Sequence, residues 1–328
     1  MDARSHESGF RSPWWLKGSH LQTIGPALFA PRARVRYVRE RWDTPDGDFI
    51  EVDRVAPTAR AVRPTTLVVF HGLESDTRSR YVRGLMAAAA ARGWHGIAPH
   101  FRGCGGAMNF KPRFYHSGDS DEIDWILERV AAEVDESMAL VVAGVSLGGN
   151  MLLKWLGERG TSACSIVDAA SAISAPMDLV AGGAHLGRGF NRFYTWMFLR
   201  TLKQKSRAKL AQHAGLFDRA RMEAARDLHA FDEVVTAPLH GFVDADDYWK
   251  RASSKPWLKN IAVPTLILNA RNDPFLPPSA LPDVADVSAA VTLELPADGG
   301  HVGFVDRGPD GAEWMPRRVL RHLERYLS

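Results

Sequence analysis

Apolar residues fall into two rhythms along this chain of 328 residues. Short, nearly continuous apolar runs at 66–70, 94–99, 140–143, 165–171, 263–269 and 291–295 read as strands buried on both faces, the pattern of a parallel sheet. Between them lie stretches with helical periodicity. Residues 80–92 carry Leu85, Met86 and five alanines and stop at Gly93, where a glycine ends a helix cheaply. Asp119 and Glu122 have capping-box spacing, after which Ile123, Ile126, Leu127, Val130 and Val134 mark one helical face. Residues 315–327 form a closing amphipathic helix, with Val319, Leu323 and Leu327 on one side. Earlier, 35–42 and 49–55 alternate around Thr44-Pro45-Asp46-Gly47, which predicts an antiparallel hairpin.

Strand alternating with helix predicts an α/β fold: a mostly parallel central sheet with helices on both faces, joined by right-handed crossovers. The rhythm breaks twice. Residues 1–33, punctuated by Pro13, Pro26 and Pro31, read as an irregular segment packing on the core, with Trp14 and Trp15 either lying on that core, lipping an entrance or anchoring at an interface. Residues 177–255 contain helical and loop patterns without a strand and read as a helical cap insertion. The core is then 34–176 together with 256–328.

Composition narrows the class. A hydrophobic content of 45% supports a sizeable core, and a net charge of +3 is too mild to argue for nucleic acid. Two cysteines, Cys104 and Cys164, cannot build a disulfide framework and suit a reducing compartment. With no run of membrane-spanning length and no apolar signal segment, the expectation is a soluble, cytoplasmic protein.

The stretch from 139 to 155 carries the chemistry. An apolar strand ends at Gly144-Val145-Ser146-Leu147-Gly148, and a helical segment follows at once. A serine on so sharp a turn is crowded, and glycines two residues to either side let strand and helix approach. Its hydroxyl stands exposed, while the unpaired N–H groups of the helix entrance face the place where an oxyanion would form. Leu147 N–H is the first expected donor. A serine needs a base, and the base needs a carboxylate to orient it. Asp273 follows the 263–269 strand and His301 follows the 291–295 strand, so both are expected at the same sheet edge as Ser146. Asp298 is the rival acid.

The second oxyanion donor is expected at Leu73, where His71-Gly72 after the 66–70 strand lets backbone approach the site. His71 reads as a structural partner shaping that loop or as part of the substrate site with Gly72; as a rival base it is less needed, because the acid-then-histidine order already supplies one. Gly103-x-Gly105 lacks the third glycine of a dinucleotide loop, so no nucleotide cofactor is expected, and no His or Cys spacing suggests a metal. The segment 186–209 mixes seven Lys and Arg with many aromatics and has no acid. It reads as a cap helix buried against the core, as pocket lining through Phe193, Trp196 and Met197, or as a contact with an anionic lipid surface.

Several further motifs give a narrower likeness: His20-Leu-Gln-Thr-Ile24, His71-Gly-Leu73, Phe101-Arg-Gly-Cys104, Tyr115-His-Ser-Gly118, the serine turn extended to Gly149-Asn150, Pro238-Leu-His-Gly-Phe242 and Gly300-His-Val-Gly-Phe304. Together they resemble the YheT-like esterases of the α/β-hydrolase superfamily, a group that takes in eukaryotic ABHD-type lipases and phospholipases. Trp249 departs from the tyrosine usual after Asp247-Tyr248. The resemblance implies the α/β-hydrolase fold with Ser146 as nucleophile, Asp273 as acid and His301 as base. It also implies cofactor-free hydrolysis of carboxylic esters, lipid-like ones included. Thioester or amide hydrolysis, acyl transfer, or ligand binding without catalysis are the alternatives.

Overall fold

The computed structural model describes residues 9–135, 137–308 and 310–327. The first eight residues of the expected N-terminal segment lie outside that range. Eight strands form one sheet: β1 Val38–Asp43, β2 Phe49–Val55, β3 Thr65–Phe70, β4 His95–Pro99, β5 Ala139–Val145, β6 Ala169–Ile173, β7 Thr265–Leu268 and β8 Val291–Glu294. Their order is β1-β2-β4-β3-β5-β6-β7-β8. The hairpin β1–β2 and the β2–β4 pair are antiparallel, and every later pairing is parallel.

Helices α1 Ser19–Phe29, α2 Arg80–Ala91, α3 Ser120–Glu133 and α4 Leu147–Arg159 precede β7, as do α5 Leu179–Leu186, α6 Arg192–Gln212, α7 Arg219–Ala224, α8 Leu228–Val234, α9 Thr236–Leu239 and α10 Ala245–Ala252; α11 Trp314–Glu324 closes the chain. Every residue of β3 and β5 is buried because both sheet faces are covered. Side chains alternate sides along a strand. Val68, Phe70 and Val142 therefore join the layer of α3 and α4, with Ile123, Ile126, Met151 and Leu152. Leu67, Val69 and Val141 join the opposite layer of α2 and α11, with Val82, Leu85, Val319 and Leu323.

Three local expectations are corrected. The segment before β1 is not wholly irregular, because residues 19–29 form a helix with Pro26 inside it. Trp14 and Trp15 are 81% and 57% exposed, and their neighbour Leu16 is the residue that packs inward. Helix α3 begins next to Asp119 without a side-chain cap bond. The two carboxylates of the supposed capping box serve arginines instead: Asp119 meets Arg113 at 2.6 Å and Glu122 meets Arg102 at 2.6 Å.

Candidate active site

The turn between β5 and α4 is as tight as its glycines suggest. Ser146 has φ 54° and ψ −122°, a conformation that L residues seldom adopt. A Cβ on Gly144 would lie 2.5 Å from the carbonyl oxygen of Gly148, and one on Gly148 would lie 2.5 Å from that of His71. Neither position admits a side chain without moving the strand or the helix. Asn150, fully buried one turn on, fixes this helix from the side: its Nδ2 donates to the carbonyls of Ser117 and Ala252, and its Oδ1 accepts from Ser254 N–H at 3.0 Å.

At the ends of the neighbouring strands the chain supplies the other two groups. His301 Nε2 lies 2.9 Å from Ser146 Oγ, and His301 Nδ1 lies 2.8 Å from Asp273 Oδ2. A carboxylate can only accept, so Nδ1 carries the proton and Nε2 is left to accept from the serine. Asp273 is 4% exposed, and its other oxygen accepts from Phe275 N–H at 2.8 Å. The Phe275 ring stacks on the imidazole with centroids 3.9 Å apart, which limits rotation of the histidine. Asp298, the rival acid, bonds Asn272 Nδ2 instead.

The histidine loop is strained and is held by a helix from the other end of the chain. Gly299, Gly300 and Val302 all have positive φ. From α1, Gln22 Oε1 accepts from Gly299 N–H and from Asn272 Nδ2, both at 2.8 Å, while Thr23 Oγ1 accepts from His301 N–H at 2.9 Å. Gln22 is 2% exposed. Reading the sequence by periodicity missed both residues as site components. The signal was their place in the His20-Leu-Gln-Thr-Ile24 motif, which carried the resemblance but had no physical role until the loop was seen.

Opposite the serine, the loop after β3 presents Leu73. A Cβ on Gly72 would come 3.1 Å from Ser146 Cβ, so glycine is what allows this backbone so close to the serine. Among the described residues no group accepts from Leu73 N–H or Leu147 N–H. The loop is pinned by three tyrosine and carboxylate contacts: Gly72 N–H donates to Tyr81 Oη at 3.0 Å, Glu74 N–H to Tyr115 Oη at 2.8 Å, and Tyr115 Oη–H back to Glu74 Oε1 at 2.8 Å. Lys205 of α6 adds a fourth, reaching Glu74 Oε1 at 3.0 Å.

His71 lies beneath the loop, 1% exposed, and does not line the cavity. Its Nε2 accepts from Phe101 N–H at 3.2 Å, which leaves Nδ1–H to donate to the Gly72 carbonyl at 2.8 Å. Burial, with His100 nearby, pushes its pKa down to about 3, so it stays neutral. The expectation that it touches substrate is corrected on this geometry.

Ser146 opens into a cavity whose empty space, including its mouth, is about 1030 Å³. Leu73, Leu147, Leu186, Phe198, Leu202 and Phe275 supply much of its apolar wall, and Glu74, Lys205 and Asp232 are polar exceptions. Phe193, Trp196 and Met197 are not on that wall. They are 43%, 57% and 49% exposed on the opposite side of α6, because 3.6 residues per turn put 198, 202, 205 and 206 inward and 193, 196, 197 and 200 outward. Trp249 takes up the position of the departed tyrosine and donates its indole N–H to Asp232 Oδ2 at 2.8 Å. Among the described residues no group of three His, Cys, Asp or Glu is placed to hold a metal ion.

Comparison with known proteins agrees with this geometry at the level of fold and broad class. The family model of the alpha/beta hydrolase fold matches residues 65–308. The candidate esterase YheT of Escherichia coli (strain K12) is 40% identical over 94% of this chain and 91% of its own length. Phospholipase ABHD3 of Mus musculus is 29% identical over 89% of this chain and 72% of its own length. Among solved structures, the esterase Pf2001 of Pyrococcus furiosus superposes with a TM-score of 0.58 at 15% identity, covering 91% of this chain and 97% of that one. The α/β hydrolase GrgF of Penicillium sp. sh18 gives 0.60 at 15% identity, covering 89% and 99%. At such identities the superpositions speak for the fold alone.

Proposed function

Because the chain belongs to the α/β-hydrolase family, in the YheT-like group, we propose that it is a serine hydrolase of carboxylic esters with Ser146 as nucleophile, His301 as base and Asp273 as orienting acid. The observation that carries this reading is the unbroken chain of contacts from Asp273 Oδ2 through both imidazole nitrogens to Ser146 Oγ, at 2.8 and 2.9 Å.

In the proposed reaction His301 Nε2 takes the serine proton as Oγ attacks the ester carbonyl. The imidazolium is stabilised by Asp273, and the oxygen of the tetrahedral intermediate accepts from Leu73 N–H and Leu147 N–H. His301 returns its proton to the departing alcohol, leaving an acyl group on Ser146. Water, deprotonated by His301, attacks that acyl-enzyme, and collapse returns the proton to Ser146 and frees the acid. The helices between β6 and β7 act as the cap over the cavity in this reading, residues 177–255, with 34–176 and 256–328 as the hydrolase core. The apolar wall suits an acyl chain and favours lipid-like esters.

The test is a series of p-nitrophenyl esters of increasing chain length, run beside matched thioesters and anilides. Ester hydrolysis that vanishes in Ser146→Ala, with a rate optimum set by chain length, supports the proposal. Ester rates unchanged in Ser146→Ala overturn the assignment, and faster thioester or anilide turnover overturns the ester preference.

A further inference from the structure

Helix α6 has two apolar faces, and the site uses one of them. Its inward face, with Phe198 and Leu202, lines the cavity. Its outward face leaves Phe193, Trp196 and Met197 in solvent, where large apolar side chains are costly unless something covers them. Phe190, 55% exposed, extends the face: its ring lies 5.8 Å from that of Phe193, which lies 6.0 Å from Trp196. His20 of α1 meets Phe190 at 4.5 Å, so this face borders the N-terminal segment, in which Leu21 is 47% exposed.

Charge says what covers it. The chain has no Asp or Glu from 179 to 217 and none from 9 to 39, and these are the two segments that meet at His20 and Phe190. Together they hold thirteen Lys and Arg in a chain whose net charge is only +3, although Lys205 and Lys209 turn inward and Arg39 and Arg207 are paired with carboxylates. Arg192 and Arg200 flank the aromatic cluster on the exposed side of α6, and among the described residues neither is paired with a carboxylate. Aromatic and basic side chains together on one exposed helical face fit an anionic bilayer: the rings enter the interfacial layer while the guanidinium groups stay among the headgroups. No helix among the described residues is long and apolar enough to cross a membrane, so contact would be peripheral.

We infer that the outward face of α6, with Phe190, Phe193, Trp196, Met197, Arg192 and Arg200, docks this protein onto an anionic lipid surface. The face lies next to the site. Tyr194, between its aromatics, touches Phe275 at 4.9 Å, and Phe275 stacks on His301. Docking therefore sets the cavity side of the same helix against the source of a lipid-like substrate.

The experiment is vesicle cosedimentation of the full chain, with phosphatidylcholine vesicles and with vesicles of equal parts phosphatidylcholine and phosphatidylglycerol. Ser146→Ala is run beside the wild type, so binding is read whether or not the hydrolase proposal holds. Expected are salt-sensitive binding to the mixed vesicles and little to phosphatidylcholine alone. Phe193→Ser/Trp196→Ser should weaken binding about tenfold or more, with hydrolysis of a water-soluble acetyl ester and the melting temperature unchanged. Arg192→Gln/Arg200→Gln should remove most of the preference for phosphatidylglycerol. Failure of the wild type to bind mixed vesicles, or undiminished binding by the aromatic double variant, overturns the inference. So does a dimer in solution that the aromatic double variant dissociates, since a second copy would then cover the face.

Discussion

Thr23 Oγ1 accepts the backbone N–H of His301 at 2.9 Å across 278 residues of sequence. The bond fixes the backbone from which the imidazole projects, in a loop where positive φ values at Gly300 and Val302 make other conformations easy to reach. Thr23→Val keeps the shape and leaves that N–H without its acceptor. Expected is a loss of about 1–3 kcal/mol in urea unfolding and a fall in kcat of about tenfold, with KM little changed. Unaltered kcat would show that the bond does not position the histidine.

Gln22 serves the same loop together with Asn272, joining the segments that carry His301 and Asp273. Gln22→Leu therefore should disturb both groups and cost more activity than Thr23→Val. Steady-state kinetics of the two variants on one ester would decide the order, and the reverse order would count against the shared role of Gln22.

Lys205 is the cation that meets Glu74, whose side chain is 5% exposed. Lys205→Met strands that carboxylate in the interior beside Leu73. The predicted cost is roughly 3 kcal/mol of stability, accompanied by a lower kcat as the loop shifts. Glu74→Gln in the same chain should recover part of both, and additive losses in that double variant would refute the coupling.

Asp232 is half-buried in the cavity wall, and its desolvation there pushes its pKa up to about 6 from 3.8. The folded protein then holds a proton that the unfolded chain has already lost between about pH 4 and 6. Stability from this group is present below that window and falls as pH rises through it. Asp232→Asn should flatten the decline. Urea midpoints from pH 4 to pH 8 measure it, and parallel profiles for wild type and variant would contradict it.

Much of the sheet was legible because β3 and β5 are buried on both faces and read as continuous apolar runs. The convergence of Ser146, Asp273 and His301 at one sheet edge was legible because a turn this tight demands glycines and the other two follow strands in order. Helix α1 was hidden by Pro26, which has no N–H for the Gln22 carbonyl. That carbonyl faces Gly303, where a Cβ would come within 2.0 Å, so a tertiary contact occupies the break. The cavity face of α6 was not legible, because the aromatics at 193, 196 and 197 suit a pocket wall as well as an exposed face, whereas helical phase puts 198 and 202 on the cavity. His71 offered a catalytic residue type, and its burial under the loop could be seen only with the fold in place.

The most direct measurement of the central claim is peptide mapping by mass spectrometry after reaction with a fluorophosphonate, which phosphonylates a serine activated by its base. A single adduct on Ser146, absent from Ser146→Ala and much slower to form in His301→Ala, is the predicted result. An unlabelled Ser146 in a folded wild-type chain, or equal labelling rates with and without the imidazole of His301, would contradict it.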